Sequence, residues 1–226
     1  MIGYLKLLRP YSLVALMLLL FVAGADIHSR LFLGALVLWV GFLAFLESRH
    51  KHEGRSYVPA WVAIGLLIVG AVIFWKWEGL VFIVLSILYS RKNYTNWGRV
   101  SPVLRGLQEP VLLYAIAPSW LTLIITVGIW TTIRNFTGDM RDPERDKQEG
   151  VHTWPADLNW KPNPWLHPFI ILVGPLLWWY FGHFSFWWVV VAWPIQILTY
   201  WWIPRGKQKN PMIELYRQIN RSPRLS

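Results

Sequence analysis

The chain predicts an all-α fold, specifically a polytopic membrane bundle of about eight transmembrane helices in two four-helix halves. Three observations lead there. Hydrophobic residues make up 55% of the 226, charged residues only 15%, and mean hydropathy is +0.36, outside the usual range of a soluble domain. Seven long apolar runs occupy most of the length. The basic residues between those runs fall almost entirely on one side once the helices are counted.

In order, the runs are 11–25, 31–46, 57–75, 79–90, 103–136, 165–181 and 184–203. The first follows Lys6 and Arg9 and ends in Ala23, Gly24 and Ala25, which imitates a signal peptide. A second run follows at once, so the first is expected to stay as a helix. Several runs fall short of the roughly 20 residues of a perpendicular span, which implies short or tilted helices. The fifth, at 34 residues, is long enough for two helices meeting near Pro118. Charge decides between one helix and two. With two, only Arg30 and Lys76 of the 22 Lys and Arg residues lie on the far face, a split of 20 to 2, whereas one helix would divide them 9 to 13. The expected topology is therefore eight helices in the cell (inner) membrane, with both termini and the loop at 138–155 cytoplasmic. The helical domain covers 1–204 and a polar basic tail covers 205–226.

The net charge of +10 then belongs to a cytoplasmic face suited to anionic headgroups and phosphates. Nucleic acid is not an expected partner, since the chain lacks a soluble basic domain. Zero cysteines exclude disulfides and thiolate metal sites.

An internal echo supports the two halves. "RHKHEGRSYVP" at 49–59 and "RDKQEGVHTWP" at 145–155 share Arg, Lys, Glu, Gly and Pro at a constant offset of 96 residues, and each follows the second helix of its half. The counterparts of Asp139, Asp142 and Asp146 in the first half are Leu43, Leu46 and His50, so the first loop keeps the frame without the carboxylates.

The second loop holds Asp139, Asp142, Glu144, Asp146 and Glu149, five of only 12 acidic residues in the chain. Asp139, Asp142 and Asp146 at i, i+3 and i+7 share one face if the segment is helical. Pro143 biases Asp142 away from helical angles, so the membrane helix is expected to end near Arg141. A short helix then starts with Asp142 as cap and Pro143 at its first position, and stops at Gly150. Capping explains Asp142 and solvation explains Asp146, but neither explains Asp139, an anion near a helix C-terminus where the macrodipole disfavours it. A counter-ion does. Hard carboxylate ligands suit Mg²⁺, which usually takes one or two of them and completes its shell with water and substrate phosphate. A merely solvated loop is the competing reading.

The pattern Asp139-x-x-Asp142-x-x-x-Asp146-x-x-x-Gly150, followed by Thr153 and Pro155, resembles the second aspartate-rich motif of the UbiA superfamily of intramembrane prenyltransferases. "LLRP" at 7–10 resembles the family's entry sequence, and Tyr89 with Arg91 and Lys92 falls where the family has a basic loop after its fourth helix. The resemblance implies a helical bundle with a central cavity open to lipid, a polyprenyl diphosphate donor held by Mg²⁺ on Asp139, Asp142 and Asp146, and an aromatic or lipid acceptor. Where the family carries its first acidic motif, after the second helix, this chain reads "LESRHKHEG", with Glu47, His50, His52 and Glu53 in place of aspartates.

Of the remaining residues, Arg91 and Lys92 are expected to contact the diphosphate, while Arg99 and Arg105 are expected to be ordinary cytoplasmic-loop cations. His50 and His52 read as surface histidines and His152 as a residue that orients the acidic loop, while Glu109 is either functional or paired with Arg105 one turn earlier. Most of the 17 tryptophans, including the pair Trp178 and Trp179, read as an interfacial belt. Two other functions stay open: a non-catalytic relative that binds isoprenoid diphosphates, and an unrelated small transporter or structural bundle.

Overall fold

A computed structural model describes residues 10–49, 58–93, 96–148, 150–182 and 186–201. The tail at 205–226 and the first-half residues His50, His52 and Glu53 lie outside the described residues. Ten α-helices are present, with no strand among the described residues. They are α1 (Pro10–Val22), α2 (Arg30–Arg49), α3 (Ala60–Phe74), α4 (Trp77–Ser90), α5 (Ser101–Ile116), α6 (Leu121–Arg141), α7 (Pro143–Gln148), α8 (Trp154–Asp157), α9 (Leu166–Gly182) and α10 (Trp187–Trp201). Two 3₁₀ turns, Arg91–Asn93 and Asn96–Arg99, link α4 to α5.

The long apolar run does divide in two. Ala117, at φ −134 and ψ 67, leaves helical angles and its N–H closes α5 on Leu113 O, while α6 starts after Trp120. By length and composition alone, one helix among the described residues, Arg30–Ser48, is long and apolar enough to cross a membrane; Ala60–Phe74, Trp77–Ser90 and three other apolar helices are shorter.

The helices form a closed circuit in which α1 packs on α2, α2 on α4, α4 on α5, α5 on α6, α6 on α9 and α9 back on α1, with α3 laid on α2 and α10 on α1 and α9. Small residues set the tightest contact. A Cβ on Gly34 would lie 2.6 Å from the Phe74 backbone, and one on Gly70 2.7 Å from Leu38 N, so α2 and α3 meet nearly backbone to backbone. The core behind them is aromatic: the Phe42 ring lies 5.8 Å from Trp39, 6.1 Å from Phe82 and 5.8 Å from Tyr89. Trp178, expected in the interfacial belt, is instead buried and meets Trp130 edge-on at 5.1 Å, because it lies on the face of α9 that packs against α6.

The outer faces are apolar as well. Leu121, Ile125, Ile129 and Ile133 form an exposed ridge at i, i+4 spacing along α6, and Ile64, Ile68 and Val72 do the same on α3. Soluble monomers rarely leave apolar patches this large uncovered.

Candidate functional site

The acidic loop is built at the end of α6. Its apolar stretch finishes at Phe136, and Asp139 and Arg141 lie beyond it in the last turn. Asp142, at φ −123 and ψ 36, stops the helix, and Pro143 opens α7 as expected from its missing N–H. In the first half, the position of Pro143 is Glu47, and there the helix continues to Arg49. Gly150, at φ +69, ends α7: its N–H donates to Lys147 O at 3.1 Å and the N–H of Val151 donates to Asp146 O at 2.8 Å, a Schellman turn. Thr153 then serves two elements. Its hydroxyl donates to Asp146 Oδ2 at 3.1 Å and accepts from the N–H of Ala156 at 3.4 Å, capping α8.

The three aspartates part at this break. Asp139 and Asp146 are each only 6% exposed. Asp142 is half-buried and held by its neighbour, the Arg141 Nε donating to Asp142 Oδ2 at 2.6 Å. α6 ends at Arg141, as Pro143 predicts, so the three carboxylates do not share one continuous helical face. Among the described residues, no three His, Asp or Glu side chains converge closely enough to hold a metal ion.

Asp139 sits in conflicting electrostatic surroundings. Burial pushes its carboxyl up to about 7; Lys92 and Arg141 pull it down, while Asp146 and Asp142 push it further up. Lys92 Nζ lies 3.7 Å from Asp139 Oδ1 and 5.3 Å from the centre of the Tyr89 ring. Lys92 thus lies beside the acidic loop, while Arg91 occupies the exposed start of the 3₁₀ turn.

Two contributors are not expected from the motif alone. The Tyr89 hydroxyl donates to Asn135 Oδ1 at 3.1 Å, and the buried Asn135 Nδ2 finds no hydrogen-bond acceptor among the described residues. Asn135 precedes Asp139 by four residues, one helical turn, which is the only trace of it in the sequence.

One turn deeper lies a buried polar network. Glu109, 2% exposed, accepts from Arg134 Nη2 at 2.5 Å and from the Thr131 hydroxyl at 2.7 Å, with Arg105 Nη2 3.7 Å away. Arg105 also donates to Gln108 Oε1 at 2.7 Å, and Gln108 Nε2 donates to Ser86 Oγ at 2.9 Å. The guanidinium of Arg105 lies 4.2 Å over Trp39, and that of Arg134 lies 4.4 Å over Trp130. Arg105 is therefore a core residue rather than a loop cation, and the nearer partner of Glu109 comes from α6.

On the outer side, Arg99 Nε donates to Asp157 Oδ2 at 2.8 Å and stacks 5.2 Å from Trp154, while His152 Nδ1 lies 3.1 Å from Asp157 Oδ1. Gly98 permits this approach, since a Cβ there would sit 2.4 Å from His152 O. Burial raises the Asp157 carboxyl, but hydrogen bonds from Arg99 and His152 outweigh it and hold the group below its ordinary value. This clamp ties α8 to the 3₁₀ turn that precedes α5.

Comparison with known protein families, characterised proteins and solved structures finds no match to this chain.

Proposed function

We propose that this chain is an integral-membrane prenyltransferase of the UbiA type, its eight long helices crossing the bilayer with the acidic site on the cytoplasmic side. Its donor is a polyprenyl diphosphate and its acceptor an aromatic or lipid nucleophile. The observation that carries the reading is the placement of Asp139: a carboxylate withdrawn from water beyond the apolar end of α6, repelled by Asp146 and Asp142, with one lysine amine beside it. A solvated loop has no reason to bury two of its aspartates.

The residues present fit Mg²⁺ in a reduced form. Asp139 and Asp146 are the two carboxylates that would hold it, within the one or two this ion usually takes, and Asp142 anchors Arg141 instead. When bound, the ion neutralises charge growing on the departing diphosphate. The chain's own groups do the rest. Lys92 offers a point charge to the phosphate oxygens. Asn135, oriented by the Tyr89 hydroxyl, offers amide N–H donors from a buried position. Below Tyr89, the rings of Phe42, Phe82 and Trp39 pack on one another in the core, with the Arg105 guanidinium over Trp39 and Phe42. The allylic C–O bond breaks with its electron pair leaving on the diphosphate, and the acceptor nucleophile closes on the carbon and releases its proton.

One observation favours a second reading, a non-catalytic binder of isoprenoid diphosphates: the first half supplies a single described carboxylate at the corresponding place, the buried Glu47. The test supplies purified protein with Mg²⁺ and labelled farnesyl or geranylgeranyl diphosphate and follows binding and diphosphate release separately. The enzyme reading expects both, and binding without release assigns the second. Asp139→Asn with Asp146→Asn is expected to abolish Mg²⁺-dependent binding; binding indifferent to that change refutes both readings.

A further inference from the structure

Resting on the membrane placement above, we infer that the lipid-facing surface of the bundle is matched to a hydrocarbon layer of about 20–25 Å, several ångströms thinner than an ordinary bilayer core. The helix lengths come first. Three long helices that begin and end among the described residues, α3, α4 and α5, have 15, 14 and 16 residues. At 1.5 Å per residue the three span about 21–24 Å, against a hydrocarbon thickness of about 30 Å. Tilt only lengthens the shortfall, because an inclined helix covers less depth.

The residues that bound two of these helices show what stands at each edge. On α3, Trp61 is 75% exposed at one end and Trp75 is 68% exposed at the other, with Ile64, Ile68 and Val72 exposed between them. Fourteen residues separate the two indoles, about 21 Å. Exposed indoles prefer the headgroup boundary, so the pair marks both edges of the apolar layer. On α4, Lys76 and Arg91 bracket the helix fifteen residues apart, about 22 Å. The Lys76 amine is already committed to the Ala115 carbonyl at the end of α5, so it is held at the end of the bundle rather than extended toward a distant headgroup. The longest apolar helix, α2, sits largely inside the bundle, where its extra length asks nothing of the lipid.

The chain's lack of cysteine makes the test direct. Single cysteines at Trp61, Ile64, Ile68, Val72 and Trp75 are introduced one at a time, the full chain is reconstituted in phosphatidylcholine vesicles with fourteen-, eighteen- or twenty-two-carbon monounsaturated tails, and a water-soluble maleimide is applied to both sides. Positions 64, 68 and 72 are expected to be protected and 61 and 75 to react in fourteen-carbon lipid. The unsubstituted chain is expected to melt highest in that lipid, its midpoint falling by about 5–10 °C on going to twenty-two carbons. A midpoint highest in eighteen or twenty-two carbons, with protection extending past both tryptophan positions, overturns the thickness while leaving the membrane placement intact. Protection that appears only as protein concentration rises assigns the face to a second copy of the chain and also overturns it. Release of the native chain from membranes by alkaline carbonate, with labelling at Ile68, removes the membrane placement itself.

Discussion

Replacing Asp139 by asparagine is expected to stabilise the metal-free protein at neutral and alkaline pH while removing its ligand response. The carboxyl is raised by burial from 3.8 to about 7. Between those two values the folded chain holds a proton that the unfolded chain has released, so this group's contribution is fully present below pH 3.8 and is lost as pH rises to about 7. A gap of about three units at about 1.4 kcal/mol each sets a ceiling of about 4 kcal/mol. Loss of the Lys92 partner and relaxation around the new amide reduce that to about 2 kcal/mol, or about 4–8 °C in a chain of this size. Thermal unfolding in detergent with a chelator present, at pH 5 and pH 8, measures it. The wild-type midpoint should fall from pH 5 to pH 8 more than that of the variant, and the variant should be the more stable of the two at pH 8. Mg²⁺ with inorganic diphosphate at a hundred times its dissociation constant should then restore about 2.7 kcal/mol to the wild type and nothing to the variant. A variant less stable than wild type at pH 8, or a wild type indifferent to pH across this window, would refute the claim that Asp139 is held charged against its surroundings.

Other outcomes follow from the geometry. Glu109→Gln leaves the buried guanidinium of Arg134 without its 2.5 Å carboxylate partner and should cost about 3–5 kcal/mol, whereas the double change Glu109→Gln with Arg134→Met should recover most of the loss in the same melting assay. Gly70→Leu forces a side chain into backbone 2.7 Å away and should lower the melting midpoint by more than 5 °C, with Gly65→Leu on the open side of α3 as the neutral control. The Asp157 clamp has the opposite pH sign from Asp139. Its carboxyl is held below the ordinary value, so its contribution is present above that value and lost as pH falls through the depressed one. Proteolysis of the segment around α8 should therefore quicken at acid pH in the wild type and be quick at all pH values in Asp157→Asn.

What the sequence discloses is whatever is decided within a few neighbouring residues. Pro143 marks the end of α6 because a missing N–H acts locally, and Gly150 marks the end of α7 because its left-handed angle does too. The division of the 103–136 run is legible from charge, a property summed over loops. The pairing of Glu109 with Arg134 is not, since its partners sit on different helices and Arg105 at i−4 offers a closer candidate in the chain. The same holds for Asn135, whose role depends on a tyrosine of α4 placed across the bundle. Even the aspartate spacing misleads on geometry: three residues that a continuous helix would align are separated by the proline among them, and Thr153 and Arg141 then claim two of the carboxylates.

The circuit of helices closes where α1 meets α9 and α10, and α1 is made well before either of them. While the ribosome is still extending α6, the side of α1 that packs on α9 and α10 has no mate of its own chain. The nascent bundle is therefore an open crescent until α9 and α10 arrive, and a stop codon ahead of α9 would leave the crescent permanently ajar. Such a product would still carry the acidic loop and its lysine, yet would lack the wall that keeps their surroundings from flooding.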